Sequence, residues 1–395
     1  MGYLDYIICA IYLVGILSIS VKVTNKKNSI THFLVADRAI SPMLGVASLI
    51  GTELGLITIM YNAQTGFKSG LAALHIAIIA GIVTFIIGKT GWVVVPLRKL
   101  KVLTIPEFYE KRYDKQTRIL GAIILVTAGI LNMGLFLKVA ALFVATIFNI
   151  PAAWIALVMA ILIACVLLYT LLGGMTSVIT TDFIQFITLT IGLVLFLAFL
   201  LHTIPWNTMI QTWVQHNSIQ SLNPAHTDSG FGVSYILWMI ITAGLVSTAI
   251  WPTALSRALV MKSSDAVKKQ YLWASIPMMG RFVLPILIGT LCFAYITLYS
   301  IPIHTPLTAL PIVASHLLPV GALGILVAGL LAAMMSTLDG YLLCWASVIV
   351  RDIMMPLSKR GWGDKQQIYW VRILILASAL FMFYWGLFYK GADTI

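Results

Sequence analysis

Charge is what this sequence has least of. Asp, Glu, Lys and Arg make up 10% of its 395 residues, and only 13 of those charges are acidic. A soluble domain carries about a quarter charged residues, so a water-exposed globule is excluded. Cysteine is sparse too. Cys9, Cys165, Cys292 and Cys344 all lie in apolar stretches without ligand spacing, which leaves no disulfide framework and no cysteine-based metal site to argue for. The chain has no phosphate-binding glycine loop, no paired metal histidines and no plausibly placed Ser-His-Asp set, so no enzyme motif survives inspection. His75 stands alone on an apolar stretch and reads as a residue that packs or bonds locally. Low-complexity tracts and a soluble domain are missing as well. The first apolar run contains Asp5 and no small-residue cleavage site, which does not read as a removable signal peptide.

What is present is apolar sequence, at 60% hydrophobic residues and a mean hydropathy of +0.99. The net charge of +12 excludes little by itself, but its placement does. Basic residues gather in four clusters: Lys22, Lys26, Lys27 and Arg38; Arg98, Lys99, Lys101, Lys111, Arg112, Lys115 and Arg118; Arg257, Lys262, Lys268 and Lys269; and Arg351, Lys359, Arg360 and Lys365. The alternate gaps hold only Lys68 and Lys390, while Lys89, Lys138, Arg281 and Arg372 lie in or near apolar stretches. Short cytoplasmic loops retain Lys and Arg, so this alternation predicts a multi-pass protein of the inner (plasma) membrane with its N-terminus outside. The partner of the basic loops is then anionic lipid rather than nucleic acid.

A spanning helix needs about 20 apolar residues. Ten candidates fit: 3–23, 42–61, 71–97, 119–148, 152–172, 177–201, 231–252, 270–298, 321–350 and 369–389. Counted from outside, they reproduce the charge alternation. Two outer loops are long. Residues 203–230 are polar without Lys or Arg; residues 300–320 contain four prolines and an apolar run, Leu310 to Leu318, which reads as an interfacial or re-entrant helix.

Two spans are interrupted. The second holds Gly45, Gly51 and Gly55, with Thr52 and Glu53 between the last two glycines. A carboxylate at mid-membrane costs about 2.5–3.5 kcal/mol or more, so it faces a cavity or a partner. The seventh holds Gly244 and then Trp251-Pro252-Thr253. Interrupted segments at matching places in two halves point to a transporter site, and these two are five spans apart, as an inverted five-helix repeat requires.

Four stretches carry a family resemblance: SPMLGVASLIGTELG (41–55), TIPEFYEKRY (104–113), GGMTSVITTDFIQ (173–185) and GLLAAMMSTLDGYLLCWASVIVRD (329–352). In that order they resemble the sodium:solute symporters over essentially the whole chain, nearer the proline and organic-solute branch than the sugar branch. The resemblance implies an all-α, LeuT-like core of two inverted five-helix repeats. It divides the chain into a leading helix and linker (1–41), a first repeat (42–202), a periplasmic loop (203–230) and a second repeat (231–395).

Carried over residue by residue, the family's sodium site falls on the backbone of Gly51 and Leu54 and on Ala333, Ser336 and Thr337. Glycine-loosened backbone and hydroxyls suit a hard cation independently, although Ser and Thr also bond between membrane helices routinely. Asp182 matches a second sodium site, but the serines expected opposite it are Asp339 and Gly340 here. One coupling ion is therefore the base expectation, with Asp182 and Asp339 as a possible second cation or proton site.

For the solute, the expected residues are Glu53, Asn132, Lys138 and Trp251. Glu53 has several readings: it shapes the sodium field, meets an ammonium group, takes up a proton, or forms a structural pair with Lys138. Glu53 and Lys138 together would suit a zwitterion. Asn132 aligns with a sugar-branch amide, and Trp251 walls the cavity or sits at an interface. Arg257 and Arg112 read as gate or topology residues.

The expected function is sodium-driven symport of a small organic solute by alternating access. The alternatives are a non-transporting membrane sensor of the same fold and an intramembrane enzyme. Because only ten spans are present and the chain stops at Gly391–Ile395, where a tenth core helix would begin, the last core helix is expected to be missing and the 395-residue chain to transport poorly.

Overall fold

The computed structural model describes residues 2–23, 29–358 and 361–388. Lys26, Lys27, Lys359, Arg360 and Lys390 of the charge pattern, and the terminal Gly391–Ile395, lie outside the described residues. The first half is α1 (Tyr3–Val23), α2 (Pro42–Glu53), α3 (Leu56–Ser69), α4 (Leu74–Thr90), α5 (Lys115–Phe148) and α6 (Ile155–Thr203). The second is α7 (Val233–Met239, continued by wide π-helical turns over Ile240–Ile250), α8 (Pro252–Leu259), α9 (Ser264–Tyr299), α10 (Ala309–Leu317), α11 (Ala322–Val348) and α12 (Asp364–Phe388).

Among the described residues, nine helices are long and apolar enough to cross a membrane. One of them, Leu56–Thr90, runs through α3 and α4, which Gly70 separates at φ 57°. The expected span 42–61 is not among the nine. It is split into α2 and the start of α3, because Leu54 (φ −95°, ψ 58°) and Gly55 (φ −70°, ψ 162°) leave helical geometry. The space explains the glycine: a Cβ on Gly55 would stand 2.5 Å from the Thr337 hydroxyl of α11. The expected spans 152–172 and 177–201 are two of the nine, Ala152–Leu171 and Gly174–Thr203, the stretch labelled α6 being broken between them at Gly174. There φ is 57°, and a Cβ would meet Phe33 at 2.7 Å. The seventh span breaks where expected, with Trp251 extended and Pro252 starting α8 as its first residue. Pro fits that position because its missing N–H would have had no helical partner.

At the centre stands α11. Every residue from Leu326 to Val348 is buried, and 89% of its most apolar window is buried against 22% for α1. That contrast places α11 inside the bundle and α1 at the rim, where Tyr3, Leu4, Ile7, Ile11 and Val14 are exposed to the lipid side. A charged residue of α1 still has a partner. Asp5 Oδ1 accepts from the N–H groups of Gly321 and Gly324 at 2.7 and 2.8 Å, capping the start of α11. Ser20 of α1 shares a 2.8 Å hydrogen bond with Ser177 of α6.

Lipid tails supply no hydrophobic drive between helices, so contact rests on small residues that let backbones approach. A Cβ on Gly289 of α9 would lie 1.8 Å from the Ala63 carbonyl of α3, and one on Gly66 would lie 2.1 Å from the Ile286 carbonyl. Thr290 donates to Gly66 O at 3.1 Å across the same seam. The apolar run of the second outer loop forms α10, nine residues long and packed down through Leu310, Val313 and Ala314. In the first outer loop, residues 206–216 form a short helix whose Trp213 is buried.

The seam yields a prediction. Gly289→Val should cost about 1–3 kcal/mol or more through overpacking and lower the thermal midpoint of the purified protein in a fluorescence unfolding assay. Gly15→Ala, where nothing lies within 4 Å, should leave that midpoint unchanged.

Candidate functional site

A helix leaves its last four carbonyls without helical N–H partners. The last intrahelical bond of α2 runs from Leu54 N to Ile50 O at 2.7 Å, so these four belong to Gly51, Thr52, Glu53 and the cap residue Leu54. Gly51 O accepts from Ser336 Oγ at 2.9 Å, and Thr52 O from Thr337 Oγ1 at 2.9 Å. Glu53 O accepts from Thr58 Oγ1 at 3.3 Å. Two of the four are thus held by hydroxyls of α11, and Ser336 Oγ also lies 3.2 Å from Ala333 O. The structure therefore brings together Gly51, Ala333, Ser336 and Thr337, with Leu54 buried in the break beside them.

The break of the seventh span faces that of the second. Thr253, near the start of α8, donates to Glu53 Oε1 at 2.7 Å, and Trp251 Nε1 donates to the Tyr341 hydroxyl of α11 at 3.0 Å. Between the breaks lies a cavity of about 450 Å3 whose lining includes Glu53, Asn132, Trp251, Arg281, Thr337 and Tyr341. Glu53, Asn132 and Trp251 were expected there. Lys138 does not line it; its Cβ stands 3.7 Å from where a Cβ on Gly386 of α12 would be. The reason is helical phase, since residues six apart are turned about 120° from each other at 3.6 residues per turn. The cation opposite Glu53 is Arg281 of α9, with Nη1 at 3.6 Å from Oε2. Sequence reasoning passed over it, although an arginine left unassigned inside an apolar stretch was the available signal.

A second network lies on the inner side of the same break. Asp182 Oδ2 accepts from Ser48 Oγ at 2.5 Å and Thr52 Oγ1 at 3.3 Å, and it pairs with Arg257 Nη2 at 3.4 Å. Arg257 also donates to Ser48, Thr52 and Ser256 at 3.1, 2.7 and 3.1 Å. It is fully buried and joins α2, α6 and α8, so it is not a loop charge that merely sets topology. Gly340 makes room for it: a Cβ there would lie 2.7 Å from Nη2. Asp339, the next residue back on α11, is fully buried, and neither carboxylate oxygen has a hydrogen-bond partner. The phenol of Tyr169 is spent on Met335 O at 3.0 Å.

Residues 104–118 dock at the C-terminal end of α11. Asp352 Oδ1 accepts from Thr104 Oγ1 and from Arg118 Nε and Nη2, each at 2.8 Å, and Arg118 also pairs with Glu110. His75 bonds Ala72 O at 2.7 Å and stacks edge-on against Phe231, a local role.

Two facing helix breaks, a largely apolar cavity between them that holds a few charged and polar groups, and helices packed through glycine seams define an ion-coupled membrane carrier. The sequence profile of the sodium:solute symporter family matches residues 33–390. The chain is 24% identical over 378 residues to the sodium/sialic acid symporter NanT of Aliivibrio fischeri, covering 92% of this chain and 72% of that protein. It is 22% identical over 368 residues to a sodium/proline symporter of Staphylococcus aureus (88% and 67% covered) and 24% identical over 399 residues to the sodium/glucose cotransporter of Vibrio parahaemolyticus (93% and 72%). Among solved structures it superposes on a substrate-bound, outward-open Na+-coupled sialic acid symporter with a TM-score of 0.88 at 18% identity, over 98% of this chain and 82% of that one. The fold is that LeuT-like one, and the chain belongs to the sodium:solute symporter family.

The Asp182–Arg257 pair makes a prediction of its own. Arg257→Ala leaves a buried carboxylate uncompensated and should cost about 3–5 kcal/mol. Adding Asp182→Asn should recover a large part of that loss. A double-mutant cycle of unfolding midpoints measures the coupling.

Proposed function

We propose that this protein couples movement of a small organic solute to sodium by alternating access, with the ion at the α2–α11 crossing and the solute in the cavity beside it. The observation that carries the reading is the carbonyl account at the end of α2. Ser336 and Thr337 donate to two backbone oxygens there. A bound sodium would take over the Gly51 carbonyl from Ser336, and the Ser336 and Thr337 hydroxyls would turn their lone pairs to the ion. Gly51, Leu54, Ala333, Ser336 and Thr337 form an all-oxygen donor set, which suits a hard cation.

Thr337 belongs both to this set and to the cavity lining, and Glu53 follows directly on Thr52. Ordering the break around an ion therefore shapes the solute site. The coupling requires that ion and solute stabilise the outward and inward states unequally. Asn132 and Trp251 serve as solute contacts in this reading, whereas Lys138 serves the packing of α5 against α12. Residues 42–202 and 231–395 act as the two inverted repeats, 1–41 as a lead-in and 203–230 as an outer loop. The alternation of the basic loops supports an N-terminus outside. The relatives' printed solutes, sialic acid, proline and glucose, set the range of organic solutes to be screened. Asp339 beside Asp182 offers a second cation or proton position, supported by its two unpartnered oxygens.

Radiosodium binding to the purified protein tests the first position. Ser336→Ala with Thr337→Ala should raise the sodium concentration for half-saturation about tenfold or more. An unchanged value would overturn the assignment. For the second position, Asp339→Asn should bring the Hill coefficient for sodium down to one if a second sodium binds there, and should flatten the pH dependence of binding if the cation is a proton.

A further inference from the structure

Arg281 and Glu53 stand side by side in the cavity wall, yet neither is well served by the other. Their side chains are 9% and 7% exposed. The 3.6 Å between Nη1 and Oε2 exceeds the roughly 2.7–2.9 Å of a good charge-assisted hydrogen bond. The hydrogen bond Nη1 does make goes to the Met278 sulfur at 3.4 Å, a weak acceptor, and Nε has no partner at all. The guanidinium lies over the Phe282 ring at 4.7 Å. A planar fork of five donors is therefore held against apolar walls with hardly an acceptor, a costly arrangement unless something else completes it.

We propose that Arg281 and Glu53 are the two poles of the solute site, and that the solute is a zwitterion carrying a carboxylate and a protonated amine a few ångströms apart. The proposal rests on reading this cavity as the solute site. The proximity of the two poles selects the class. A plain carboxylate bound to Arg281 would come to rest beside Glu53, like charge against like charge. A plain amine on Glu53 would meet Arg281 in the same way. A neutral sugar would leave both buried ions without a counter-charge in hydrogen-bond contact. A zwitterion supplies each pole with its complement and leaves the net buried charge unchanged, so no unpaired ion is desolvated.

The remaining walls suit the body of such a molecule. Trp251 has spent its N–H on Tyr341, so its ring offers an apolar face, next to Phe136. Asn132 and Thr58 add polar positions to the lining. The cavity of about 450 Å3 lies within the ordinary range for small-molecule sites.

The test is a binding panel on the purified full chain in lipid nanodiscs, read by calorimetry in sodium chloride and in choline chloride. The panel holds the common amino acids and glycine betaine, the matching carboxylic acids without the amine, the matching amines without the carboxylate, and hexoses. At least one amino acid or betaine should bind in sodium, with its deaminated and decarboxylated counterparts about 100-fold or more weaker. Arg281→Gln and Glu53→Gln should each lose binding to a similar degree, while Arg281→Lys keeps a measurable part of it. Tighter binding of a hexose or simple carboxylate than of every zwitterion overturns the assignment, and so does silence across all zwitterions. The panel on the unaltered chain decides the matter even where a variant fails to fold. Radiosodium binding by that same chain reads the sodium position separately, so loss of the zwitterion assignment and loss of the symporter reading are distinguishable.

Discussion

A helix that stops inside a bilayer leaves four carbonyl oxygens with no water to turn to, and in α2 those oxygens belong to Gly51, Thr52, Glu53 and Leu54. Each unsatisfied one would cost several kcal/mol in hydrocarbon. The fold meets the demand by bringing α11 against the break, so that Ser336 and Thr337 reach Gly51 and Thr52. That contact requires Gly55, because any side chain there would strike Thr337. It also requires α11 to run through the centre of the bundle, which explains the burial of its whole length from Leu326 to Val348. The glycine seams and the Asp5 cap follow from the same need to hold one helix in one place from all sides.

The same break organises the buried charges. On one side Asp182 and Arg257 join α6 and α8 to the hydroxyls of Ser48 and Thr52. On the other, Glu53 meets Thr253 of α8 and faces Arg281 of α9. The two arrangements differ in kind. Arg257 donates to four side-chain oxygens and is closed off; Arg281 has a loose ion contact, a sulfur and an unpartnered Nε, and it opens on the cavity. A saturated pair holds helices together, whereas an unsaturated one waits for a ligand. This difference separates the structural charge pair from the pair proposed to hold the solute, although both contact the same end of α2.

How much of this was legible beforehand depends on the range of the interactions. The breaks at Gly51–Gly55 and Trp251–Pro252 were visible, because glycine and proline interrupt helices locally. The spans were visible through length and hydropathy, and the basic loops through their alternation. The short outer helix at 309–317 was visible too, as an apolar run too brief to cross. The partner of Glu53 was not. Lys138 was the natural candidate from alignment, yet phase along α5 turns it toward α12, and Arg281 arrives from a helix more than two hundred residues away. Asp182 was expected at a second ion position and Arg257 as a gate or topology residue; that the two pair was not foreseen. Nothing in the neighbours of Arg257 along the chain shows that α8 tips it inward.

The sequence by itself determined a multi-pass α-helical protein with two interrupted spans. Those properties depend on composition, spacing and backbone propensity, which are fixed within a turn or two of chain. Only the tertiary structure decided which charges meet, which carbonyls the hydroxyls satisfy and which polar groups remain open to a solute. Pairings between helices depend on rotation and tilt about each helix axis, and small packing contacts such as Gly55 against Thr337 and Gly289 against Ala63 set those angles.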